Sequence, residues 1–265
     1  MEVYVNKISG LEDSICALYV SKRNITRAKE EHIRDVCHTM LDNDGKFVDY
    51  SKMNWVSDVD TDTITYINEH QEEFKNLISS VSKWGPVHNT LLKYMDFSCT
   101  VYGLHRGAQD DFDAHAERLD SRIIRSSTRL AKFENGEKSD WYKGKILTTD
   151  EVLYRLTIDV PDKVSIDGAT YVKCVNGYVR EDLKDDFDVL RGLYMMSIPS
   201  NFIFKCNIVE FAHIVAMRDK YSNAAPELRD MIEMVIDQLN EYTGGFITRE
   251  LLYKIERWTL SKEDN

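Results

Sequence analysis

Residues 198–232 read IPSNFIFKCNIVEFAHIVAMRDKYSNAAPELRDMI. Pro199 interrupts the helical pattern that runs over 181–197. Phe202 to Met217 is apolar and long enough for a buried helix. Arg218 follows it, so its guanidinium is expected to emerge at the edge of a core. That position suits an anion, and it equally suits the negative end of a helix dipole. The next helix, and the last clear one, is predicted over ELRDMIEMVIDQLNEY (227–242), with Leu228, Met231, Ile232, Val235, Ile236 and Leu239 in one stripe. Pro226 suits its first turn and Gly244-Gly245 its end.

Upstream, 150–180 has a different texture. VLYRLTIDV (152–160) reads as a strand, and Asp167-Gly168 and Asn176-Gly177 are hairpin turn signals between β-rich runs. About 30 residues cannot hold an independent core, so this is read as a β-hairpin insertion within a single domain spanning 1–265. The segment 106–132 is polar and patterned as a helix at least through Ile124. FSCTVYGL (97–104) reads as a strand after a short helical HNTLLKYM (88–95). Helices are predicted over 63–83, ended by Trp84-Gly85-Pro86, over 11–22, and from Thr26, which can act as its cap. Residues 2–6 alternate as a short strand, and 43–62 read as a polar, Asp-rich loop.

The chain has 265 residues, 34 Lys and Arg against 45 Asp and Glu, and a net charge of -11. That balance excludes an overall basic surface for duplex nucleic acid. It does not exclude a local pocket of a few arginines, since distant charges are screened beyond about 8 Å at physiological salt. The five cysteines are scattered and form no CxxC pair, which favours a reducing compartment over a disulfide framework or a zinc ribbon. No apolar run approaches the ~20 residues that span a bilayer. The expectation is a cytoplasmic protein with no membrane contact.

No P-loop, GxGxxG, HExxH or GxSxG motif is present. Asp110-Asp111-Phe112-Asp113 with His115 reads as a solvated helix N-terminus, favoured by the macrodipole, rather than a divalent metal site. The histidines show no HxH or HxxxH pair, and no metal is expected. Around IIRSSTR (123–129), Arg122, Arg125 and Arg129 lie among three hydroxyl residues. Guanidinium forks and hydroxyls suit phosphate oxygens. The same arginines can instead pair with Asp120 or Glu117.

Three patches together resemble the flavin-dependent thymidylate synthases. That family shows a Leu-Pro, an apolar stretch to an Asn, a helix ending in Leu-Arg, and then Ala-Gln-Trp-Glu-Ile-Arg. The counterparts are Ile198-Pro199, Asn207, Met217-Arg218 and Ala225-Pro226-Glu227-Leu228-Arg229. HNTLLKYMDFSCTVYG (88–103) is similar to a second family stretch and retains His88 and Phe97. SSTRL (126–130) is similar to the Ser-x-Arg-Tyr that ends the family signature. The family's Arg-His-Arg-x-x-Ser hallmark is absent. Its gapless counterpart begins Glu117-Arg118-Leu119, and a different gap brings Arg122 there. The family's Asn-x-Arg reads Asn207-Ile208-Val209.

The resemblance implies an α/β (α+β) fold in which a mixed or antiparallel sheet packs with helices, here with the β-rich insertion added. It implies reductive methylation at C5 of dUMP with FAD, with NADPH and methylenetetrahydrofolate as cosubstrates, in a homotetramer. The flavin replaces a cysteine nucleophile, and no catalytic side chain is assigned. Carried over by position, Ser127 and Arg129 match phosphate-binding residues, and Arg218 matches an arginine on the nucleotide base. Asn207 and His213 match flavin-contacting positions, and His88 is placed with them. Two other readings stay open: a pyrimidine-nucleotide binder without flavin, and an oligomeric scaffold.

Overall fold

A computed structural model describes residues 1–52, 60–113, 122–125, 140, 159–174, 177–185, 198–219, 222 and 224–263, without the side chains of 51, 122, 123 and 258–263. Strand β1 (Glu2–Ser9) leads through Gly10 into α1 (Leu11–Ser21) and α2 (Arg27–Met40). The Thr26 hydroxyl accepts from the Lys29 N–H, so the expected cap is in place. Helix α3 (Thr61–Trp84) ends at Gly85, and a 3-10 turn (Asn89–Tyr94) feeds β2 (Asp96–His105). Then come α4 (Arg106–Asp113), β3 (Arg122–Arg125), β4 (Lys163–Ile166), β5 (Ala169–Cys174), β6 (Gly177–Arg180) and β7 (Pro199–Asn207). Helices α5 (Ile208–Arg218), α6 (Pro226–Tyr242) and α7 (Arg249–Glu263) complete the described chain.

The main sheet is antiparallel, in the order β1-β2-β7-β3. Its inner face carries Val3, Val5, Phe97, Cys99, Val101, Phe202, Phe204 and Cys206, all buried. Phe211 of α5 meets the Phe97 ring edge-on at 5.0 Å. At the free edge of β1, the Gln238 amide of α6 donates to the Val3 carbonyl and accepts from the Val5 N–H. That satisfies backbone groups that would otherwise invite another strand. On the outer face, Tyr4, Thr100, Ile203 and Ile124 stand in one cross-strand row, and Ile124 is 72% exposed.

Strands β4, β5 and β6 form a separate antiparallel meander. Asp167 and Gly168 both have positive φ, as the two-residue turn between β4 and β5 requires. Of the strand predicted over 152–160, only 159 and 160 are described, and they are irregular. Asn176 lies outside the described residues.

Three expectations are corrected. The apolar run 202–217 is not one helix: β7 continues to Asn207 and α5 begins at Ile208. Burial alternates along 199–207, with Ile203 and Lys205 outward, which is the two-residue period of a strand. Residues 122–125 are a strand rather than part of a helix, because their pairing with β7 outweighs the helical pattern of the sequence. The final helix is α7, not the one over 227–242. Its Leu251, Leu252 and Ile255 are buried.

All five cysteines are free, and four of them, Cys16, Cys37, Cys99 and Cys206, are buried. Burial pushes the Cys37 and Cys99 thiols up to about 12. A thiol reagent at pH 8 is therefore expected to modify Cys174 first, the other four reacting only after denaturant is added. Rapid native labelling of more than one cysteine would contradict this packing.

Candidate anion site at the end of the sheet

Helix α4 is stapled to the start of α6 at both of its ends. The Glu227 carboxylate, 1% exposed, accepts the His105 N–H at 2.9 Å. The Asp111 carboxylate, at the far end of α4, accepts the Ala225 N–H at 3.3 Å. His105 Nδ1 accepts the Ala108 N–H, so the imidazole itself caps α4.

The acidic run therefore stands in the last turn of α4, not at a helix N-terminus. There the macrodipole opposes carboxylates, and arginines hold them instead. Arg125, at the end of β3, reaches Asp110 at 2.6 Å and also pairs with Asp113. Arg218, the last residue of α5, places Nε 3.2 Å from Asp111 Oδ1. Arg229 of α6 donates to the Ser222 carbonyl at 3.4 Å, and its buried Nε meets no hydrogen-bond partner among the described residues. Arg125 and Arg218 thus both close on the carboxylates of α4, from the ends of β3 and α5.

Behind Arg218 the corner is tied down. Asp219, 1% exposed, accepts from Arg249 at 3.2 Å and from the Tyr253 hydroxyl. Arg249 also pairs with Glu233. Burial and the bond to Asp219 push the Tyr253 hydroxyl up to about 12.

The predicted site residues are not all brought together. Arg218 is in the arginine corner. Ser127 and Arg129 lie outside the described residues, as do His115, Glu117 and Asp120. Asn207 caps the opposite end of α5, roughly 16 Å along the helix from Arg218. Its side-chain oxygen accepts the Glu210 N–H at 3.0 Å, and Glu210 reaches back to the Asn207 N–H. His213 Nδ1 is 2.9 Å from the Glu256 carboxylate of α7. His88 is exposed and makes no side-chain cap bond. Arg125, which the sequence offers with Arg122 and Arg129 as a phosphate-type arginine, pairs with Asp110 and Asp113, while Arg229 is not among the predicted site residues. Both were visible as arginines beside motif segments, yet nothing local links them to Asp110 or Ser222.

The chain has the fold of the flavin-dependent thymidylate synthases. Thymidylate synthase X from Helicobacter pylori with FAD and dUMP superposes at a TM-score of 0.51 and 13% identity, covering 96% of this chain and 100% of that one. A second structure of the flavin-dependent enzyme from the same organism, complexed with FAD and dUMP, gives 0.50, 13%, 94% and 100%. A UMP/dUMP methylase, PolB from Streptomyces cacaoi, bound with 5-Br dUMP, gives 0.49, 10%, 94% and 93%. No family model and no curated protein matches the sequence.

On this fold the flavin-contacting positions of the resemblance do not fit a flavin diphosphate as the described residues stand. A diphosphate calls for cations and free donors. Val209 stands where the family has arginine, and Glu210 and Glu256 bring carboxylates beside Asn207 and His213. No helix among the described residues is long and apolar enough to cross a membrane.

Proposed function

We propose that this chain binds a pyrimidine nucleotide such as dUMP in the arginine corner, with Arg218 on the base as the resemblance implies and Arg125 toward the phosphate. The observation that carries this reading is that Arg125 and Arg218, from the ends of β3 and α5, both close on the carboxylates of α4 at one end of a thymidylate synthase-type sheet. Permanently charged, forked donors suit a phosphate dianion. Ser127 and Arg129 extend the site by the resemblance. The reaction assigned is transfer of a one-carbon group, methyl, to C5 of the pyrimidine, with NADPH and methylenetetrahydrofolate as cosubstrates; the FAD that would supply its redox chemistry would have to be held by residues other than Asn207, Val209 and Glu210. In this reading the chain works as one domain with the 150–180 insertion, in a homotetramer.

A second reading, a nucleotide binder without flavin, is favoured by the carboxylates of Glu210 and Glu256 beside Asn207 and His213. The visible absorption spectrum of the purified protein, taken after incubation with FAD and dUMP and removal of free ligand, separates the two. A bound flavin band supports one-carbon transfer. A colourless protein that dUMP stabilises supports the second reading; saturation to 100 times Kd adds about 2.7 kcal/mol.

Arg218→Ala is expected to weaken dUMP binding about tenfold to a hundredfold, the weight of one lost hydrogen bond between charged groups. Titration calorimetry reads this directly. Unchanged affinity would remove Arg218 from the site.

A further inference from the structure

The outer face of the main sheet carries an apolar band. Tyr4, Ile203 and Ile124 stand in one cross-strand row with Thr100, and Tyr102 meets the Tyr4 ring edge-on at 6.0 Å. Tyr4 is 49% exposed, Tyr102 46%, Ile203 41% and Ile124 72%. An antiparallel sheet with one face in the core ordinarily turns polar residues outward. Here large apolar side chains cross all four strands, the pattern of a contact surface.

Charge selects the occupant. The charged positions of this face are Glu2 and Asp96 against Lys7, Lys205 and, by register, Arg122. Acidic groups are not in excess there, although the chain as a whole carries -11. Two copies can therefore meet on this face without the repulsion that their net charge otherwise brings. The charges are also placed for a two-fold axis. Asp96 pairs with Lys205 within one chain at 3.2 Å, which leaves Glu2 and Lys7 on either side of Tyr4 along β1. A register shift between Val5 and Lys7 sets Lys7 opposite Ser98, on the same face as Glu2. An axis along the row from Tyr4 to Ile124 lays that row over itself and brings Glu2 over Lys7 of the partner subunit.

We propose that this face is an interface between two copies of the chain, with Tyr4, Tyr102, Ile203 and Ile124 at its centre and two Glu2–Lys7 ion pairs at its rim. Packed sheets lie about 10 Å apart with their strands within about 30° of each other, a separation that long rim side chains span. The contact is isologous, as a closed dimer requires. In naming one contact of the homotetramer the inference builds on the reading above, but it does not depend on nucleotide binding.

Sedimentation velocity of the full chain over a range of concentrations, with no nucleotide present, is the test. Wild type is expected to be a dimer or a larger even-numbered assembly. Ile203→Asp sets like charges against each other across the axis and is expected to weaken association about a hundredfold or more. Ile124→Asp serves if a thermal melt shows that Ile203→Asp does not fold. Val20→Asp, at an exposed apolar position of α1, should assemble as wild type does. Glu2→Lys and Lys7→Glu are each expected to weaken association about tenfold at low salt, and the double variant to restore it. A monomeric wild type would overturn the interface, and so would Ile203→Asp and Ile124→Asp proteins that assemble normally. Dissociation of Val20→Asp would overturn it as well, since any added charge would then explain the loss. If the isoleucine variants dissociate but the double charge swap does not recover, the two-fold pairing is wrong. The dUMP titration is a separate measurement, so the nucleotide site and this interface can fail independently.

Discussion

Phe97→Ala is expected to cost about 3–5 kcal/mol of folding stability, the range for a truncated core aromatic. Phe97 is 1% exposed and lies between two layers. Its ring meets Phe204 of β7 at 5.7 Å and Phe211 of α5 at 5.0 Å, both edge-on. Phe204 in turn meets Phe112 of α4 at 5.0 Å. The aromatic series therefore runs from the centre of the sheet to the helix that carries Asp111. Removing Phe97 leaves a cavity lined on two sides by rigid rings, which cannot collapse cheaply. Against a total stability of about 5–15 kcal/mol for an ordinary domain, the loss is a large fraction. Urea denaturation measures it through the midpoint at constant slope. A change below about 1 kcal/mol would mean that sheet and helix do not meet through these rings.

How much of this was legible in the sequence depends on where each signal lives. Helices α2 and α3 carry side-chain caps and apolar stripes within their own residues, α6 carries its stripe and a proline in its first turn, and Thr26, Gly85 and Pro226 stand where expected. The β7–α5 junction was misread because both elements are apolar. The alternation of 199–207 and the Asn207–Glu210 capping pair were the available signals, and the second marks the boundary directly. Strand β3 is four residues long and owes its form to pairing with β7, which no local pattern encodes. Helix α7 was missed although Leu251, Leu252 and Ile255 show helical spacing and Thr248 accepts the Leu251 N–H at its start. The candidate site was legible at Arg218, which follows an apolar helix, and at Arg125 within the arginine-rich run 122–129. Its partners come from α4, β3 and α6, more than 100 positions away in the case of Asp111. Charge pairing across such separations is set by the fold and leaves no trace in spacing.

Gly10→Ala is the second large effect expected, roughly 3 kcal/mol or more in stability. Part of it is conformational: Gly10 has φ +81, and an L-residue there costs about 1–2 kcal/mol. The rest is steric. A Cβ at Gly10 would stand 1.9 Å from the Tyr94 carbonyl oxygen, which is backbone and cannot swing aside. The turn that holds Tyr94 is anchored by Leu92 and Met95, both fully buried, so it resists displacement. Met95 also accepts the Ile208 N–H at 3.0 Å. Pressure on Tyr94 is thereby passed to the first residue of α5, whose other end presents Arg218. Gly168→Ala separates the two contributions. Gly168 has φ +77 but nothing within 4 Å of its added Cβ, so its variant should lose only the conformational part. Thermal melts of the two variants side by side give the difference. If they lose the same amount, the close approach of Gly10 to Tyr94 is not what fixes the β1–α1 corner. If Gly10→Ala loses more and also weakens dUMP binding, the corner and the arginine site are mechanically joined through α5.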